Sequence, residues 1–200
     1  MVGNKKIIAL LCATSLLSFS SFAEKLSEKI EVQGSELSKI LKSSGSLVAR
    51  ESYELPSIST VSGKDIEAEV MVVKSLLNTS SEGVFVGLVL KAKEKYGSKS
   101  ANIDPDEIDG LLSSINLIET KGLSIINNPS SKTEKSKGVS TEIHYRTKDG
   151  LVFAAFKSQE KLSYGIKVSV TADWALLGSD AISTLKNNLL VAKSVANEVK

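Results

Sequence analysis

The sequence predicts an α+β domain: one antiparallel sheet of about six strands in two βββα halves, with both long helices packed on a single face. Three observations predict it. Apolar residues alternate with a period of two in several separated segments, as at Ile66, Ala68, Val70 and Val72 against Glu67, Glu69 and Met71. Two longer segments, Ile108 to Ile118 and Ile182 to Val195, carry their apolar residues at helical spacing instead. No strand–helix–strand rhythm with a glycine fingerprint occurs, which argues against a doubly wound nucleotide fold.

Residues 1–23 read as a secretory signal peptide, not as part of the fold. Lys5 and Lys6 form a positive n-region, and Ile7 to Leu17 is an apolar run. That run is too short for a bilayer core of ~30 Å, which needs about 20 residues. Ser21-Phe22-Ala23 supplies a small-x-small cleavage signal, so the mature chain is expected to start at Glu24 and to be periplasmic or secreted. Removing 23 of 200 residues leaves 177, a length suited to one domain at 46–200 behind a polar segment at 24–45.

In that polar segment Ser35 is placed to cap a short helix burying Leu37, Ile40 and Leu41. Strands follow at Leu47–Leu55, Ile66–Lys74 and Val84–Lys93, the last apolar on both faces and so the candidate central strand. Asp104-Pro105-Asp106-Glu107 then marks a helix start. Asp104 is the N-cap, Pro105 the first helical residue, and Glu107 the carboxylate of a capping box. Gly122 is placed to end that helix, and Asn127 to Gly138 is a polar connection.

A hairpin follows, with Ile143 and Tyr145 on one face and Glu142, His144 and Arg146 on the other. A type I′ turn at Asp149-Gly150 predicts the pairs Tyr145 with Ala154, Ile143 with Phe156 and Glu142 with Lys157. A third strand, Leu162 to Ala172, and a helix capped near Ser179 complete the second half.

The composition excludes several functions. The leader takes Lys5 and Lys6 and no acid, so 25 basic and 23 acidic residues become 23 of each. Such a balance lacks the long-range field of a nucleic-acid binder. The single cysteine, Cys12, lies in the leader behind Leu11, where a lipid-anchor signal has a small residue; a lipid anchor there is not expected. The mature chain then has no disulfide, thiol nucleophile or cysteine metal ligand. No G-x-S-x-G, H-E-x-x-H or P-loop occurs, so no cofactor is expected and the sequence points away from an enzyme.

His144 is the only histidine and the main catalytic candidate, with Glu142 to tune it and Arg146 to hold an anionic substrate. Without a second histidine, a cysteine or a nucleophile it makes neither a triad nor a zinc site. Asp104, Asp106, Glu107 and Asp109 invite a calcium reading, but their spacing misses the calcium-loop pattern and a helix start accounts for all four; no metal is expected. Lys91, Lys93, Lys95 and Lys99, with Tyr96, Arg146, Lys148, Lys157 and Lys167, are the residues that would line a polyanion groove. Trp174 is expected to anchor packing.

At Ile103 to Leu112 and again at Tyr145 to Gly150 the chain resembles a group of small uncharacterised bacterial exported proteins. They carry an I-D-x-D-E helix start and a Y-R-T hairpin. The resemblance runs from about Ile66 to the C-terminus and implies a shared fold, with no activity to carry over. The expectation is an exported, non-enzymatic domain that binds a protein or small ligand through its sheet. The alternatives are a small hydrolase or lyase-type enzyme using His144, or a binder of single-strand nucleic acid or another polyanion. A long unpaired sheet edge would also let two copies form a dimer.

Overall fold

The computed structural model describes residues 34–76, 83–95, 97–127, 142–158 and 161–199. The expected signal peptide with Cys12, the Asn128–Gly138 connection, and Tyr96 lie outside them. The fold is α+β, as expected, but the single six-strand sheet is not what forms. Two antiparallel four-stranded sheets form instead, with three helices among the described residues. The first sheet has the order β1 (Val48–Ile58), β2 (Ile66–Ser75), β3 (Val84–Glu94), β4 (Gly97–Ile103). The second has the order β5 (Glu142–Arg146), β6 (Val152–Ser158), β7 (Lys161–Lys167), β8 (Ala175–Leu177). The helices are α1 (Glu36–Lys42), α2 (Pro105–Asn127) and α3 (Ser179–Glu198).

Each half is therefore ββββα rather than βββα. The two unforeseen strands have physical reasons for being hard to read. In β4 only Ala101 and Ile103 are buried, and the other five residues are Gly, Ser, Lys, Ser and Asn. β8 is three residues long, below the length at which periodicity means anything. The third predicted strand of the second half stops at Lys167, and Ser169 to Ala172 close a turn instead.

The long helices do not share one face of one sheet. α2 follows the first sheet but packs mainly on β5, β6 and β7; α3 follows the second sheet but packs mainly on β1, β2 and β3. They also pack on each other, and their buried stripes join both sheets in one core. α2 contributes Ile108, Leu111, Ile115 and Ile118; α3 contributes Ile182, Leu185, Leu189 and Ala192. Facing them are Val70, Leu88 and Leu90 of the first sheet and Phe153 and Ile166 of the second. Each of these larger side chains, all but Ala192, stabilises the fold by roughly 1.5–3 kcal/mol when fully buried. Gly122 does not end α2, which runs on to Asn127. A side chain there would meet Leu162 Cδ1 at 3.1 Å, so the glycine marks close helix–sheet approach. α3 starts one residue after Gly178, with no side-chain cap.

The first sheet is covered on its second face too. Ser35 caps α1 as expected, its hydroxyl accepting from the Ser38 amide. Leu37 inserts among Met71, Val73 and Val89, with Ile40 beside it, while Leu41 stays exposed. Met71 and Val73 thus break the simple alternation read from β2, because α1 buries the face they occupy. Gly87 permits this approach: an added Cβ would lie 2.9 Å from Leu37 Cδ2 and 3.1 Å from the Ile103 carbonyl oxygen.

The hairpin register differs from the expected one by one residue. Tyr145 pairs with Phe153, Ile143 with Ala155, His144 with Ala154 and Glu142 with Phe156. The turn runs from Thr147 to Gly150, closed by the Gly150 amide on the Thr147 carbonyl, and Gly150 then takes φ 86°. That extra residue is what shifts the pairing. Phe153 and Ala155 consequently face the core, and Phe156 lies on the outer face. Lys157, expected opposite Glu142, instead faces α2 and bonds Asn127.

Candidate functional site

The two motif stretches, read separately as a helix start and a hairpin, touch each other. Glu107 completes the capping box by accepting the Asp104 amide at 3.2 Å, and its other oxygen accepts the Lys148 amide of the hairpin tip at 2.6 Å. Tyr145 lies against Gly110, where a Cβ would fall 2.8 Å from the phenol oxygen. The Lys148 ammonium bridges both oxygens of Asp106 at 2.9 and 2.7 Å and stands 3.6 Å from Asp104.

Both motifs then grip the start of α1. Asp104 accepts the amides of Glu36 at 2.7 Å and Leu37 at 3.4 Å. Asp149 accepts the Ser35 amide at 3.0 Å, the Asn102 amide at 3.1 Å, the Asn102 side-chain amide at 3.0 Å, and the Ser38 hydroxyl. These bonds satisfy helix-start donors that α1 cannot satisfy internally. Among the described residues no buried side-chain polar atom lacks a partner.

Titration behaviour concentrates here. Burial pushes the Glu107 carboxyl up, against the pull of its two backbone donors. Burial alone would also raise Asp149, but the Ser38 hydroxyl and the Ser35 and Asn102 amides outweigh it and hold the group below its ordinary value. Tyr145 is raised by burial and by the charges of Glu107 and Asp106; Lys148 is raised chiefly by its bond to Asp106.

The carboxylates of Asp104, Asp106 and Glu107 come within 4.8 Å of one another. Their lone pairs are committed to α1 amides, the Lys148 ammonium and two backbone amides, so the cluster is a latch. Asp109 is not part of it and pairs with Lys193 of α3 at 2.7 and 2.8 Å.

Beside the latch is a cavity of about 250 Å³. It exists because the strands differ in length. β4 ends at Ile103, opposite Leu88, where the chain leaves the sheet to start α2. Val84, Phe85 and Val86 therefore pair with β2 on one side, and among the described residues no strand pairs with them on the other. The cavity lies along these three residues. Leu37, Pro105, Ala196 and Val199 complete the apolar walls, and Glu36, Asp104, Asp106 and Lys148 form the polar rim.

His144, Glu142 and Arg146 lie elsewhere, on the outer face of the second sheet. His144 Nδ1 is 3.4 Å from a Glu142 oxygen, and both side chains are about half exposed. The strands set Ala154, Gly165 and Leu176 beside His144 in one row. No nucleophile approaches it among the described contacts. Trp174 acts as the expected anchor: it lies over Gly165, meets Phe156 edge-on at 6.0 Å, and carries the Lys167 ammonium 4.9 Å above its ring.

Five of the basic residues expected to line a groove are held on different parts of the fold. Lys91 pairs with Glu69 and Lys93 with Glu67, on the first sheet. Lys148 belongs to the latch, Lys157 to the α2 side, and Lys167 to Trp174. Among the described residues no helix is long and apolar enough to cross a membrane.

Sequence reasoning found both halves of the latch and missed that they meet. The signal it had was the unusual density of Asp, Glu and turn residues in both motifs. It had none for the cavity, which depends on where β4 stops. No protein-family model matches the chain, and no curated protein matches its sequence.

Proposed function

We propose that this protein is an exported, non-enzymatic binding domain, periplasmic or secreted, and that its ligand site is the cavity between α1, β3, α2 and α3. The leader-like residues 1–23 support the compartment. The observation that carries the site is the cavity itself: apolar walls from four elements with a few convergent charged groups, beside a cluster of shifted titratable residues. At about 250 Å³ it falls just below the usual range for small-molecule pockets, roughly 300–1,000 Å³, and suits a compact apolar group rather than a large cofactor.

The test is a fragment screen read by amide chemical shifts. Ligands should move the signals of Leu37, Val84, Phe85 and Val86, and Val84→Trp or Val199→Trp, both at the rim of the fold, should remove the effect. Shifts centred on His144 and Arg146 instead would place the site on the second sheet and defeat the proposal.

A further inference from the structure

We propose that the occupant of this cavity is an extended peptide segment that adds to β3 along residues 84–86, which no described strand pairs with on the β4 side. It would place an apolar side chain in the cavity and a neighbouring lysine or arginine against Asp106 and Glu36. This rests on the cavity being the binding site, and three independent features specify the occupant.

The first is the backbone. Val84, Phe85 and Val86 belong to an interior strand of the sheet, yet the lane beside them is empty of any described strand once β4 leaves at Ile103. Along a strand alternate residues direct their N–H and C=O groups into such a lane, and those groups gain from a partner that supplies the complementary ones. A small apolar molecule fills the space without satisfying them; an extended peptide does both. The open lane is three residues long, roughly 10 Å at about 3.3 Å per residue. Recognition is therefore short, and side-chain fit must supply much of the specificity.

The second is the shape and chemistry of the walls. Strand addition projects alternate side chains to opposite faces, so one residue of the added segment faces the α3 side, where Ala196 and Val199 are apolar, and its neighbour faces the α1 side, where Leu37 and Glu36 lie.

The third is charge. The rim has three carboxylates, Glu36, Asp104 and Asp106, against two ammoniums: Lys148, which holds Asp106, and Lys39, which pairs with Glu36 at 2.6 Å. Asp104 is turned inward onto the α1 amides, but the side chains of Asp106 and Glu36 are 68% and 59% exposed. The last turn of α3 reaches the same cavity through Ala196 and Val199 and holds no basic residue; its negative end faces the positive end of α2 at Pro105 and Asp106, so the helix dipoles offset each other and the side chains set the sign. The balance leaves one negative charge in excess, carried on exposed carboxylates, and favours a cation on the incoming segment over an anion.

The experiment is an array of blocked hexapeptides of β-forming composition. Each has a central Leu, Ile, Val, Phe or Met followed by Lys, Arg, Glu or Gln. The best binder is remade with a methyl on a central backbone nitrogen, and octylamine is titrated in parallel. Binding should concentrate in the Lys and Arg members. Replacing that residue by Glu should weaken it about tenfold or more, and backbone methylation should weaken it as much. Asp106→Lys should reverse the Lys-over-Glu order while the fold is retained. Octylamine or the methylated peptide binding as well as the parent would overturn strand addition but leave the cavity as a ligand site, provided Val84→Trp abolishes that binding. Equal binding of Glu and Lys members overturns the charge argument. No binding by any array member or by octylamine overturns both this inference and the cavity as the site.

Discussion

Replacing Asp149 by alanine should unlatch α1. The carboxylate accepts four hydrogen bonds from three residues, Ser35, Ser38 and Asn102, and the Ser35 residue it serves is fully buried. Hydrogen bonds to a charged group contribute about 1.5–3 kcal/mol each in isolation, and a buried donor left without a partner costs about 1–3 kcal/mol. The four are not independent, since they share one acceptor group, so the loss is set at about 3 kcal/mol rather than the sum. With a slope near 2 kcal/mol/M for a domain of this size, the urea midpoint should drop by about 1.5 M. Hydrogen exchange should show where the loss begins: the amides of Ser35, Leu37 and Ser38 deprotect before those of α2 or α3. Asp149→Asn keeps one acceptor oxygen and should fall between the two. A midpoint within about 0.3 M of wild type, or loss of protection spread evenly over the molecule, would refute the latch.

Acid should act through the same group. Asp149 sits below its ordinary value in the folded protein, so its stabilisation is complete above the usual carboxylate range and is lost as pH falls through the lowered value. Glu107 is raised and runs the other way, its ionisation costing stability as pH rises from its ordinary value to the raised one. The stability gap between wild type and Asp149→Asn should therefore shrink as pH is lowered from about 6 to 3, and a constant gap would rule Asp149 out. Gly87→Ala should destabilise by about 1–3 kcal/mol, because its Cβ meets both Leu37 and the Ile103 backbone, and should loosen α1 selectively in exchange measurements. His144→Ala should change the unfolding free energy by less than about 0.5 kcal/mol, since its one ion-pair partner is half exposed; calorimetry checks this.

The fold class and most individual elements were legible in the sequence because they rest on local rules. Asp104, Pro105 and Glu107 announce a helix start by chemistry acting within one turn, and Ser35 does the same for α1. What escaped was decided at longer range. β4 is a strand because β3 needs a partner, and its own residues do not demand it. Gly122 looked like a stop and is a packing residue, since only Leu162 and Ile143 of the other sheet determine that. The hairpin slipped by one residue because Thr147 joins the turn, and that slip turned Phe156 outward. For the site the division is the same. Every latch residue except Asn102 sat in a segment already singled out, but their meeting depends on a hairpin tip reaching a helix start 41 positions away.

The crossed placement of α2 and α3 has a kinetic consequence. Each sheet is closed mainly by the helix that follows the other sheet, so neither half carries a complete core of its own. A chain that emerges from its N-terminus must hold the inner face of the first sheet largely uncovered until residue 179 and beyond arrive to cover it. Such long-range pairing is slow, and it exposes strand edges while it waits. A fragment ending at Asn127 should not be a smaller version of this protein but an adhesive, open sheet. The molecule is assembled all at once, by the twenty residues of α3.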